Sequence, residues 1–374
     1  MIFSLLPLFI VDELGGSSRS FGMLEGAVIF LSFMAKLFAG FIMDIFKKKL
    51  PMLRTGAILT VLSKFFLACA PSVFFVFIAK SIDRFAKGLR QAPSDAVLAE
   101  LATKKGLAYS LRYMMNLSGF LTGSIITSTI VAVIGKNFRL IFALAVIPTI
   151  TAVYMLKTKV NYDDEKLYQK TAKHRWNIKD ISLMPREYWK LITVVTLLMF
   201  NRFSEGFITL RAREVLPDHV SSLPIFMSCY EIFALCFALF IGKIADKVDK
   251  RKIMLFGIGL LFIADTFGIT AHNVPTTIAI YIFAGLHIGA TQGCIASMLA
   301  KLAPPNLVGT AFALYYGIDG AVLFCANNLA GSSSGLAKFL GFQGTASPFI
   351  IGAMFSSFAM VYIALWLKRE KSPL

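Results

Sequence analysis

The chain has 374 residues, 57% of them hydrophobic and only 16% charged, with a mean hydropathy of +0.71. A water-soluble domain is nearer half apolar and a quarter charged. The excess gathers into runs of about 20 residues, the length that crosses about 30 Å of hydrocarbon. An ordinary soluble enzyme is excluded, and an all-α polytopic membrane protein is expected. The formal charge of +17 would suit a nucleic-acid partner if it formed one basic face. It is spread instead over short turns between apolar runs, so membrane lipid is expected as a partner and nucleic acid is not.

The first apolar run, Met1 to Val11, is too short to span, because eleven helical residues rise only about 16 Å. Either the start lies upstream of Met1 or this helix lacks its N-terminal part. Asp12-Glu13 closes the run and no basic stretch precedes it, so no cleavable signal peptide is expected. Further spans are predicted at 21–45, at 51–70 with Pro71 as a breaker, from 73, at 106–135 and at 138–156. A long polar stretch follows, with Asp163-Asp164-Glu165 and many lysines. Six apolar segments come next, at 189–210, 223–245, 253–271, 276–303, 308–329 and 347–367. The expected organisation is a six-helix bundle over 1–157, a linker over 158–188, a second bundle over 189–367 and a tail over 368–374.

Charge placement predicts the orientation. With the linker and tail in the cytoplasm, the cytoplasmic turns hold Lys47–Lys49, Arg54, Lys87, Arg90, Lys104, Lys105, Lys247–Lys252 and Lys368-Arg369. The other side holds only Arg19, Lys136, Arg139, Arg211, Arg213 and Lys338. The positive-inside rule selects this topology, with both termini cytoplasmic in a bacterial inner membrane.

Two stretches repeat. Gly40-Phe-Ile-Met-Asp44, followed by lysines, matches Gly242-Lys-Ile-Ala-Asp246, followed by Lys250, Arg251 and Lys252, at an offset of 202. Gly106-Leu-Ala-Tyr-Ser-Leu-Arg-Tyr113 echoes Gly309-Thr-Ala-Phe-Ala-Leu-Tyr-Tyr316 at an offset of 203. Two matches at nearly one offset indicate a duplicated half, a known way of building transporters.

These residues resemble the major facilitator superfamily, whose Gly-x-x-x-Asp-basic signature follows the second span and recurs weakly after the eighth. Arg84-Phe-Ala-Lys87-Gly88 resembles its Arg-x-x-x-Gly element. The longer run Asp83-Arg84-Phe-Ala-Lys87-Gly88-Leu-Arg90-Gln-Ala-Pro93-Ser-Asp95-Ala is similar to a bacterial subgroup, with Ser94 at a usual arginine. Asn201-Arg-Phe-Ser204-Glu205-Gly-Phe is similar to that subgroup too. The fifth span, Gly119-Phe-Leu-Thr-Gly123-Ser124, lacks the proline of the Gly-x-x-x-Gly-Pro pattern in drug/proton antiporters. The resemblance implies twelve helices in two bundles and secondary transport by alternating access. It implies gating roles for Gly40, Asp44, Asp83, Arg84, Lys87, Gly88, Gly242, Asp246 and Arg251. Glycine lets helices approach closely, and an Asp at a helix end can pair with a neighbouring helix N-terminus or a basic group. The plain alternative is that Asp44 and Asp246 only balance lysines at the headgroups.

Ionisable residues inside spans are costly and mark candidate sites. Glu25, Ser32 and Lys36 form one stripe of the second span, about 40° wide at 100° per residue. Arg112 and Asn116 lie one turn apart, and the repeat maps them onto Tyr315 and Asp319. Lys36, Arg112, Asn116, Asn201, Tyr315 and Asp319 are therefore the expected substrate contacts. Glu25, Glu231, Asp319 and His287 are the expected proton-coupling groups. Arg202 and Glu205, three residues apart, suit a pair at a gate or a substrate contact. Lys64 and Asp265 read as structural.

The five cysteines lie in apolar runs without metal spacing, and His174, His219, His272 and His287 are scattered. No cofactor, metal or ATP-binding Gly-x-x-x-x-Gly-Lys-Ser/Thr loop is expected. The expected protein is a monomeric secondary transporter of a small polar metabolite or drug-like solute, coupled to protons or another ion, with direction open. The rival is an integral-membrane enzyme or a non-transporting sensor. It would need clustered acids, a metal set or a soluble output domain.

Overall fold

The computed structural model describes residues 5–46, 49–101, 105–135, 137–158, 178–244, 248–304 and 307–369. Within these, the side chains of 36–46, 49, 91–93, 95–101, 105–114, 117, 178–180, 300, 308–309 and 313 lie outside the description. The described residues are helical throughout, without a strand.

The helices are α1 (Leu6–Leu8), which runs on as a π-helical turn over Phe9–Glu13, α2 (Ser18–Phe46), α3 (Lys49–Ala68), α4 (Val73–Leu101) and α5 (Lys105–Ile134). Then come α6 (Phe138–Leu144), α7 (Val146–Thr158), α8 (Arg186–Asn201), α9 (Gly206–Val215) and α10 (Leu223–Ile244). The chain ends with α11 (Lys250–Thr270), α12 (Val274–Leu302), α13 (Val308–Ser332), α14 (Ser334–Phe339) and α15 (Ser347–Arg369). Seven spans among the described residues are long and apolar enough to cross a membrane, four of them joining consecutive elements: Phe138–Thr158, Arg186–Val215, Pro217–Ile244 and Gly344–Arg369. α4 is equally long at 29 residues but carries Lys80, Asp83, Arg84, Lys87 and Arg90. Large apolar side chains such as Phe65, Phe74, Tyr154 and Phe358 are more than half exposed, as a lipid-facing surface requires.

The chain divides into two compact units. Unit one comprises Met1–Gly16 and Ala27–Lys173, and unit two comprises Ser17–Gly26 and His174–Leu374. In unit one, α3 and α4 pack closely because Gly56 has no side chain. A Cβ there would lie 2.9 Å from Ala86 O and 2.5 Å from Arg90 Cγ. Gly88 does the same against α2, where Ala35 Cβ would lie 2.9 Å away. The chain start is tied to α6 by Arg139 Nε, which donates to Glu13 Oε1 at 2.7 Å. Arg139 also stacks over Phe9, which meets the Phe138 and Phe142 rings edge-on.

In unit two, α10 and α12 approach through Gly285 and Gly289. A Cβ on Gly285 would collide with Tyr230 O, and one on Gly289 would lie 2.8 Å from Ala238 N. Lipid is as apolar as leucine, so burial of apolar surface does not drive such helices together. Close backbone approach does, through van der Waals contact. The first turns of α2 use the same device against α13. A Cβ on Gly22 would collide with Asn327 O. One on Gly26 would lie 2.9 Å from Phe324 O, and one on Gly331 would lie 2.6 Å from Ser18 O.

Candidate functional site

The span predicted as one helix over 189–210 is two. α8 stops at Asn201, Arg202 to Ser204 are non-helical, and α9 restarts at Gly206. Local chemistry explains the break. Arg202 N–H turns back to Met199 O at 3.1 Å instead of continuing the four-residue pattern. Ser204 Oγ accepts from Gly206 N–H at 3.3 Å, and Ser204 O accepts from Phe207 N–H at 2.9 Å. A serine can satisfy a new helix start in this way. The freed Ser204 N–H donates to Asn327 Oδ1 of α13 at 2.8 Å, and Asn327 is fully buried. Non-helical backbone at membrane depth is tolerated where it is buried in protein or lines a cavity.

The break overturns one expectation. Three-residue spacing does not place Arg202 and Glu205 one turn apart, because no turn connects them. Glu205 instead accepts from Tyr230 Oη of α10 at 3.3 Å. Arg202 lies within electrostatic reach of Tyr230, of His287 on α12 and of Tyr315 on α13. Glu231 is in turn coupled to Glu205. His287 is 1% exposed, with Nδ1 against Gly257 O at 2.8 Å and Nε2 without a hydrogen-bond partner. The structure thus gathers Arg202, Glu205, Tyr230, Glu231, His287 and Tyr315 around one break in unit two. A cation, two carboxyl groups, an imidazole and two phenols can hold a small polar solute of mixed charge.

The other predicted residues are placed as follows. Tyr315 and Asp319, one turn apart on α13, pack beside Ile192, Val195, Thr196 and Met199 of α8. Asn116 is exposed on α5 in unit one. Asn201 is 3% exposed, and its amide donates to Asp265 Oδ2 and Ser356 Oγ. Glu25 is 3% exposed on the part of α2 that belongs to unit two. The side chains of Lys36, Gly40, Asp44 and Arg112, and Asp246 as a whole, lie outside the described residues.

In unit one, Asp83 pairs with Lys64 of α3 at 3.0 Å and accepts from Ser63 Oγ at 3.3 Å. With Lys80 and Arg84 they line a cleft of about 90 Å³, so Lys64 belongs to this polar group. Lys87 is exposed. No described atom lies within 4 Å of where a Cβ on Gly242 would be. Arg251 is 1% exposed. It donates to Asp249 Oδ2 at 2.7 Å and stacks over Trp366, whose Nε1 donates to Glu187 Oε2 at 3.3 Å.

Arg211 had read as a loop charge. It is 3% exposed, and its guanidinium donates to Gly268 O at 2.8 Å, Ile269 O at 3.1 Å and Ala271 O at 3.2 Å, and to Gln343 Oε1. It caps the C-terminal end of α11.

Helices without strands among the described residues, seven of the spans long and apolar enough to cross a membrane, define an all-α polytopic membrane protein. The model of the Major Facilitator Superfamily matches residues 1–216 and 217–374, and the chain belongs to that family. A relative described as an uncharacterized MFS-type transporter of Methanocaldococcus jannaschii is 24% identical over 343 residues, covering 88% of this chain and 83% of the relative. The fold is similar to a crystal structure of the nucleoside transporter NupG, with TM-score 0.78 and 13% identity over 98% of this chain and 94% of that one. It is also similar to a D-xylose-proton symporter, with TM-score 0.70 and 16% identity over 96% and 91%. The protein is a secondary transporter by family, and the rival readings of enzyme and sensor fall away.

Proposed function

We propose that the chain moves a small polar metabolite, anionic or zwitterionic, by alternating access driven by protons, and that the break between α8 and α9 is where the solute is held. The observation that carries this is the interruption of a 30-residue span at Arg202–Glu205, with Arg202 within electrostatic reach of Tyr230, His287 and Tyr315. A guanidinium recognises a carboxylate or phosphate oxygen, while Glu205 and Glu231 suit an ammonium group. The mixed signs argue against a wholly apolar drug. Asp319 and Tyr315 extend the same wall, and Glu25, Asp319, Glu231 and His287 are the groups able to exchange a proton beside it. That a symporter of D-xylose and protons shares the fold agrees with proton coupling.

Alternation needs contacts that form and break. The close contact of Gly22 with Gly331 and of Gly26 with Phe324 is proposed as one of them, and the two Gly-x-x-x-Asp turns as others. The basic turns favour cytoplasmic termini, an inner-membrane location and contact with anionic lipid, and the protein is proposed to act as a monomer with halves at 1–157 and 189–367. A deletion strain complemented with wild type or with Arg202→Ala tests the reading. Intracellular and external metabolite pools should shift for at least one polar solute with wild type only. Equal restoration by both would remove Arg202 from the site.

A further inference from the structure

Three helices of unit two meet at a carboxyl group that the transport site above does not use. Asp265 of α11 is 1% exposed, and Asn201, the last residue of α8, is 3% exposed. Asn201 Nδ2 donates to Asp265 Oδ2 and to Ser356 Oγ of α15, each at 2.6 Å. Asn201 Oδ1 is buried and accepts no hydrogen bond. It faces the bare Cα of Gly352. A Cβ on Gly352 would collide with Asn201 Oδ1 and lie 3.0 Å from Asp265 Oδ1. Two oxygens therefore flank one spot, and the amide oxygen has no donor, an arrangement that calls for an explanation in a buried site.

Among the described residues no cation supplies one. From α8 the group facing Asp265 is Asn201, and the Arg202 that follows it has a side-chain contact with Met199 and lies within electrostatic reach of Tyr230, His287 and Tyr315. From α9, Arg211 is taken up by Gly268 O, Ile269 O and Ala271 O. From α12, His287 binds Gly257 O and Tyr281 packs on Phe226. From α15 the facing group is the Ser356 hydroxyl, and Tyr362, Lys368 and Arg369 lie six or more residues further along. A bare carboxylate in such surroundings is strongly disfavoured. One proton on Asp265 Oδ1 removes the charge and gives Asn201 Oδ1 its donor, so that acid and amide each donate to the other.

The geometry points to Asp265 as a proton-binding site. It takes a proton from water to form the acid–amide pair with Asn201 and returns it to water when the end of α8 moves away. Asn201 is the residue immediately before the break, so occupancy by the proton and the shape of Arg202–Ser204 depend on each other. What the proton drives rests on the transport reading; its presence on Asp265 does not.

Infrared difference spectra of the full chain in lipid bilayers, stepped from acid to alkaline pH, test this without any substrate. Wild type should show the carbonyl band of a buried protonated carboxylic acid at neutral pH, lost on alkalinisation. Asp265→Asn should lack that component, and Ser356→Ala should keep it. Should Asp265→Asn fail to fold, labelling wild type with isotopic aspartate must shift the component. A component unchanged in Asp265→Asn, or unshifted by the label, overturns the proposal. So does an Asp265 band that no pH removes, which would make the acid a fixed structural group. Loss of flux with the band intact would count against the transport reading alone, and flux without the band against this proposal alone.

Discussion

Arg211 shows how one side chain settles a helix end. The last carbonyls of α11 have no intrahelical donor, and burial denies them water. The guanidinium supplies donors to three of them and to the Gln343 side chain. Arg211→Ala should lower stability by about 3 kcal/mol, since buried acceptors would lose their partners. Thermal unfolding in detergent would show it, and an unchanged midpoint would contradict the capping role. Asp319→Asn should differ in kind. It keeps size and helix, so the protein should fold normally while transport is abolished. Full flux in that variant would remove Asp319 from the site.

At the scale of elements, the outcome turns on packing that a linear pattern does not carry. Run length and charge spacing were enough to place α2, α3, α5, α10 to α13 and α15 within a few residues, because a span of fixed thickness imposes a fixed length. The break at Arg202–Ser204 was not legible. Asn201-Arg202-Phe203-Ser204-Glu205-Gly206 has no proline, and the turn depends on Asn327, more than a hundred residues away, accepting Ser204 N–H. For the same reason Asn201 and Asp265 were assigned different roles although they form one pair. The Gly22-x-x-x-Gly26 pattern was a usable signal for the contact with α13. Gly22→Leu should destabilise unit two by about 2 kcal/mol through overpacking, whereas leucine at Gly242, where no described atom is near, should leave the unfolding midpoint unchanged. Equal loss in the two variants would contradict the close-contact assignment.

On the scale of the whole molecule, the family follows from a match over both halves of the chain. The internal repeat at offsets of 202 and 203 had already suggested such a duplication. Substrate class is a weaker reading of the sequence, because it depends on which polar groups converge. Asn116 is exposed on α5, and Asp319 lies beside α8. Arg202, which the sequence placed at a gate or a substrate contact, is the charge on which the proposed site is built. The most direct test of the account is exchange of labelled polar metabolites by proteoliposomes holding wild type or Arg202→Ala, each with and without a pH gradient. The account predicts that at least one anionic or zwitterionic solute exchanges through wild type, faster with the gradient, and that Arg202→Ala slows it at least about tenfold, the equivalent of 1.4 kcal/mol. Equal exchange by the two proteins, for every solute that wild type moves, would contradict it.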